Sequence, residues 1–188
     1  LVAQSGATLV HAYGDPWIIE GQGTVGIEAA AQLEARTGQR PDRIVACCGG
    51  GGLAAGLALA CPDADLYLAE PEGYDDLLRS LACGEIQSVA DLSYPTDCDA
   101  LQTPRTFQIN FNILNGRVAG GAAVTPAEVT CAICATFEKL HLVVEPGGAA
   151  ALAAVLAGKV PVTDATIVTL SGGNVDAETF ARLLAAAA

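Results

Sequence analysis

The chain has 188 residues, 52% hydrophobic and 16% charged, which suits one domain with a buried core and not a disordered, solvating segment. A formal net charge of −12 argues against nucleic acid as a partner, because phosphate binding needs a basic face. The apolar stretch 46–68 is broken by Pro62, Asp63 and Asp65 and is no membrane span, and residues 1–6 lack the pattern of a signal peptide.

In chain order, short apolar runs alternate with alanine-rich helical stretches. Residues 8–12 read as a strand. Gly21, Gln22, Gly23 and Thr24 read as the first turn of a helix over 24–36, with Thr24 as its cap. A strand over 44–48 runs through Gly49, Gly50, Gly51 and Gly52 into a helix over 53–60. A strand over 66–69 leads to a helix over 75–82. Residues 91–114 show no clear period and read as a long connection crossing one end of the sheet. Thr125, Pro126 and Glu128 have the pattern of a capping box opening a helix over 126–140. A strand over 142–144, a helix over 148–156, a strand over 166–170 and a helix over 177–187 complete the chain. This alternation predicts an α/β fold with a mostly parallel, twisted sheet flanked by helices.

Seven cysteines in a chain of this length, an odd count, do not read as a disulfide framework. Cys47 and Cys48 read as small buried hydrophobes in a reducing, cytoplasmic compartment. Cys131 and Cys134 have the spacing of a redox or zinc half-site. They lie in a helical pattern with no second pair and no nearby histidine, which argues against that role. The chain has no methionine and begins at Leu1, so the expectation is a processed or truncated chain whose function depends partly on other sequence.

The strongest chemical signal is the strand, four glycines and helix around Gly49, Gly50, Gly51, Gly52 and Leu53. Without side chains the backbone N–H groups can close on a phosphate, and the helix N-terminus adds favourable partial charge. A tight strand-to-helix turn would need one or two glycines. A dinucleotide also fits this loop, because Glu70 ends the next strand about twenty residues on, where a ribose-binding carboxylate would sit. Ser171, Gly172, Gly173 and Asn174 follow the last strand and would place a hydroxyl at its carboxyl end, although a plain turn looks the same.

Taken together, the run from Glu20 to Glu28 with Gly21, Gln22, Gly23 and Thr24, the glycines 49–52 before Leu53, the run Val144, Glu145, Pro146, Gly147, Gly148, Ala149, and the run from Ser171 to Asp176 resemble the threonine/serine dehydratases and serine racemases among the fold-type-II pyridoxal-phosphate enzymes. The resemblance covers residues 5–176. It implies that Gly49, Gly50, Gly51, Gly52 and Leu53 hold the cofactor phosphate. Ser171, with Gly172 beside it, bonds the pyridine nitrogen, and Glu145 and Tyr13 lie near the ring. It also implies a magnesium or calcium ion on Glu70, the Tyr74 carbonyl and Asp76, with solvated acidic residues opening a helix as the alternative. His11 is expected to be structural.

The chain departs from the family in one respect. The Schiff-base lysine belongs to a motif upstream of everything here, and the only lysines, Lys139 and Lys159, lack its context. Residues 1–188 therefore read as the C-terminal part of the catalytic, cofactor-binding domain, without the lysine-bearing N-terminal part and small domain. The implied activity is loss of water from threonine, serine or a hydroxyaspartate to give a keto acid and ammonia, in a homodimer. The chain alone is expected to be inactive. Serine racemisation stays open as a second activity of the same family. A dinucleotide-binding oxidoreductase and a non-catalytic phosphate-binding fragment are the alternatives of other classes.

Overall fold

Arg43–Cys47 (β1) is apolar after its first residue, and its last four residues are buried, so it must be covered on both faces. The structure, a computed structural model describing residues 2–186, places β1 inside a four-stranded sheet of order β3-β2-β1-β4. The other strands are Asp65–Pro71 (β2), Val118–Val124 (β3) and Thr166–Val168 (β4), and every pairing is parallel. The helices are α1 (Val2–Ser5), α2 (Pro16–Thr37), α3 (Gly52–Ala60), α4 (Asp76–Cys83), α5 (Gln108–Leu114), α6 (Pro126–Leu140), α7 (Pro146–Leu156) and α8 (Ala177–Ala186).

Alternation along β1 builds three layers. Ile44 and Ala46 pack with Ile19 of α2, Leu57 of α3, Leu77 of α4 and Leu114 of α5. Val45 and Cys47 face the other way, onto Val129 and Ile133 of α6, the buried alanines of α7 and Leu183 of α8. The predicted α/β class and mostly parallel sheet are what the structure shows. Among the described residues no helix is long and apolar enough to cross a membrane.

Several predicted elements need correction. Residues 8–12 and 142–144 pair with no strand among the described residues. Most of their apolar side chains are exposed, Leu9 at 69% and Leu142 at 53%, although Val144 is buried in the core, and a lone apolar run without a hydrogen-bonding neighbour is no strand. Gly21–Thr24 is not the start of a helix but its interior. Asp15 caps α2 by accepting the Trp17 N–H at 2.9 Å, Pro16 occupies the first turn, and Thr24 Oγ1 donates to the Gly21 carbonyl at 2.7 Å. The 91–114 connection contains a 3₁₀ turn, Asp99–Leu101, and α5. β3 is not among the predicted strands because Val118–Val124 is a run of alanine and glycine with little strand propensity. The final helix ends at Ala186, and Ala187 lies outside the described residues.

Candidate active site

The end of β1 delivers the chain into the glycine loop and the loop into α3, so the first turn of α3 opens at the carboxyl edge of the sheet. Gly51 is the helix N-cap with φ of +92°, a left-handed conformation that side chains resist. The Ala55 N–H makes the first bond back, to the Gly51 carbonyl at 2.9 Å. The N–H groups of Gly52, Leu53 and Ala54 precede it and have no intrahelical acceptor. The loop has no room for side chains on its other flanks. A Cβ at Gly49 would lie 3.0 Å from the Leu101 backbone, one at Gly52 3.0 Å from the Tyr13 Cα, and one at Gly50 would clash with the edge of the Tyr13 ring.

These residues line a cavity of about 640 Å³ that also takes in Tyr13, Leu53, Glu145 and Ser171. Unpaired N–H donors at a helix N-terminus, facing a cavity of this size, fit a phosphate-bearing small molecule. Neither Lys139 nor Lys159 reaches it. Lys159 Nζ is held by Glu128 at 2.7 Å and by the Ala123 carbonyl at 2.9 Å.

Ser171 is solvent-exposed, and its N–H donates to the Gly148 carbonyl at 3.3 Å. Glu145, half-buried at the N-cap of α7, holds the Ser171 loop in place. Its N–H donates to the Gly172 carbonyl at 3.0 Å, and its Oε2 accepts the Asn174 N–H at 2.8 Å. A Cβ on Gly172 would lie 2.5 Å from Glu145 Oε1, so the glycine permits this contact. Among the described residues Glu145 has no cationic partner.

Beneath the loop, the Cys47 thiol donates to the Gly148 carbonyl at 3.2 Å, and the Cys47 N–H donates to Thr169 Oγ1 at 3.1 Å. Burial pushes that thiol up. Tyr13 packs edge-on against His11 and Phe107, and His11 Nδ1 accepts the Gly14 N–H at 3.2 Å. Burial, and then the charge of Asp76, push the Tyr13 phenol up, against the pull of Arg105.

Glu70 lies apart from the cavity. It is fully buried, and its two oxygens accept the Leu77 N–H at 3.2 Å and the Leu78 N–H at 2.7 Å, so it caps α4 from the end of β2. That geometry removes the ribose-binding role on which the dinucleotide alternative rested. Tyr74 is buried and donates to the Leu92 carbonyl at 2.7 Å. Asp76 is fully buried, and both its carboxylate oxygens lack a hydrogen-bond partner. Burial pushes Glu70 well above the usual carboxylate range and Asp76 up to about 6. Among the described residues no group of three or more His, Cys, Asp or Glu side chains can hold a metal.

Sequence reasoning missed two buried polar side chains behind the loop, Thr106 and Asn110. Neither stands in a motif, and among Arg105, Gln108 and Asn112 neither is marked out by its polarity.

The family model described as "Pyridoxal-phosphate dependent enzyme" matches residues 1–173. The chain is 35% identical over 190 residues to the L-threo-3-hydroxyaspartate ammonia-lyase of Pseudomonas sp, covering 98% of this chain and 57% of that protein. It is 32% identical over 192 residues to the serine racemase of Dictyostelium discoideum, with the same two coverages. The crystal structure of a T.th. threonine deaminase superposes with a TM-score of 0.87 at 38% identity, over 94% of this chain and 65% of that one. The chain belongs to the pyridoxal-phosphate dependent enzymes. Within them its sheet and helices have the fold-type-II arrangement of the threonine deaminase and serine racemase structures. It spans about half the length of the curated relatives it matches.

Proposed function

We propose that these 188 residues are the C-terminal, cofactor-holding part of a pyridoxal-phosphate-dependent ammonia-lyase that removes water from a β-hydroxy amino acid, giving a keto acid and ammonia. The observation that carries this reading is the convergence of the Gly49–Gly52 backbone, Ser171 and Glu145 on one cavity. When bound, pyridoxal phosphate supplies an electron sink for the charge that develops as the substrate α-proton leaves.

The N–H groups from Gly49 to Leu53 hold the phosphate, and the Ser171 hydroxyl takes the ring nitrogen. Glu145 fixes the Ser171 loop through the Asn174 amide, and Tyr13 walls the cavity beside Gly50. A neutral hydroxyl leaves the ring nitrogen less protonated than a carboxylate would, which suits elimination of a β-hydroxyl. The lysine that anchors the cofactor and takes the substrate proton comes from sequence outside these residues.

Threonine, serine and hydroxyaspartate are the substrates to try, and racemisation of serine is the second reading, favoured by the likeness to serine racemases. The test is the protein purified from its own cells, assayed for keto acid, ammonia and D-serine with each amino acid. Keto acid and ammonia in equal amounts support the lyase; D-serine without keto acid supports the racemase. No product from any of the three overturns both.

The unpaired, buried Asp76 carboxylate also fits a divalent cation, with Glu70 and the Tyr74 carbonyl as the other protein ligands. Each Glu70 oxygen keeps a lone pair beyond its amide bond, and oxygen-only ligands suit magnesium or calcium. Calcium should raise the melting temperature of the protein and leave that of Asp76→Asn unchanged; an equal rise in both removes the cation from this place. The reading further places the protein in the cytoplasm, supported by seven free cysteines, and as a homodimer, which sedimentation equilibrium checks.

A further inference from the structure

Asn110 is wholly buried on α5, with the positions of Gly51, Leu77 and Leu114 around it. A polar side chain there is costly unless its hydrogen bonds need it, and its Oδ1 has no partner at all. Its Nδ2 donates at 2.7 Å to the Gly50 carbonyl and at 2.9 Å to the Tyr13 carbonyl. Both neighbours are acceptors, so the amide cannot be turned the other way. Thr106 Oγ1, also buried, donates to the same Gly50 carbonyl at 3.0 Å. The two donors together occupy both lone pairs of that carbonyl.

In a trans peptide the carbonyl of one residue and the N–H of the next point in opposite directions. The Gly50 carbonyl points at Thr106 and Asn110, which lie outside the cavity, so the Gly51 N–H points to the cavity side. A peptide between two glycines otherwise turns over at little steric cost. We propose that Asn110 and Thr106 are positioning residues that lock the plane of the peptide joining Gly50 to Gly51, aiming the Gly51 N–H at the cofactor phosphate before it binds. This rests on the reading of the 49–53 loop as a phosphate cradle.

Equilibrium dialysis of the chain against pyridoxal 5′-phosphate and against pyridoxal, which lacks the phosphate, tests it. Asn110→Leu removes both bonds to the amide and fills the same space. Thr106→Val removes only the hydroxyl and leaves Tyr13 and α5 untouched. Each variant should bind pyridoxal phosphate about tenfold more weakly, the worth of one hydrogen bond in a preset site, with pyridoxal affinity unchanged. If both ligands weaken together, or neither does, the residues are structural only and the proposal is overturned. Should Asn110→Leu fail to fold, Thr106→Val alone decides by the same criterion. Wild-type protein that does not distinguish the two ligands overturns the cradle itself; wild-type protein that does, beside variants that do so equally well, overturns only the positioning role.

Discussion

At Gly56, α3 crosses α2 so closely that a Cβ would lie 2.5 Å from the Gly23 nitrogen and 2.6 Å from the Ile19 carbonyl oxygen. Those are backbone atoms and cannot move aside as a side chain could. Gly56→Ala is therefore expected to lower stability by at least about 2 kcal/mol, through overpacking. Gly21, on the same α2, meets nothing within 4 Å of an added Cβ. Gly21→Ala should raise stability by about 0.5–1 kcal/mol, the helix-propensity difference. Thermal melts of the two variants should move in opposite directions, and two shifts of the same sign would contradict the crossing geometry. Residue types alone do not separate these glycines. The close approach depends on α3, a segment distant in sequence, so Gly21 and Gly23 read locally as a turn.

Among the elements, α6 shows what local sequence can reveal. Thr125 Oγ1 accepts the Glu128 N–H at 3.3 Å and Glu128 Oε2 accepts the Thr125 N–H at 2.7 Å, the reciprocal pair read from the spacing alone. Partial burial alone would raise the Glu128 carboxyl, but Lys159 and Thr125 outweigh it and hold the group below its ordinary value. A carboxyl with a depressed folded-state pKa stabilises the fold above its unfolded value of about 4.3, and that contribution fades as the pH falls through the folded value. Glu128→Ala should therefore cost about 1 kcal/mol at neutral pH. The gap to wild type should shrink in acid, below the ordinary carboxylate range. Urea titrations of both proteins at neutral and acid pH check this, and a gap that widens in acid would contradict it. The capping of α4 was illegible by contrast. Its amides are bound by Glu70, which belongs to β2, and no rule of adjacent residues anticipates a cap supplied from the preceding strand.

For the molecule as a whole, most of the layer order could be read in advance because β1 and β2 have short apolar interiors with the helix α3 between them. The edge strand β3 was harder, because it is held by its partner β2 and not by its own composition. The other edge, β4, was legible as the apolar run 166–170: three of its residues pair with β1, and Thr169 continues the ladder with a bond to the Val45 carbonyl at 3.0 Å. At the site, the motif residues Gly49, Gly50, Gly51, Gly52, Glu145 and Ser171 come together around one cavity, although nearly a hundred residues separate the glycines from Glu145. Asn110 and Thr106 stayed hidden because their role is to orient a backbone group, and such a role leaves no pattern in sequence.

The central claim is that the 49–53 backbone grips the cofactor phosphate while the 171–174 loop meets its ring. Following the backbone amide signals of the isotope-labelled chain by NMR, as pyridoxal phosphate is added, tests this most directly. The account predicts that the signals of residues 49–53 and 171–174 move most, and that pyridoxal without its phosphate leaves the 49–53 set nearly still. Shifts centred instead on the groove between α2 and α3, or a 49–53 response that is the same with and without the phosphate, would contradict it.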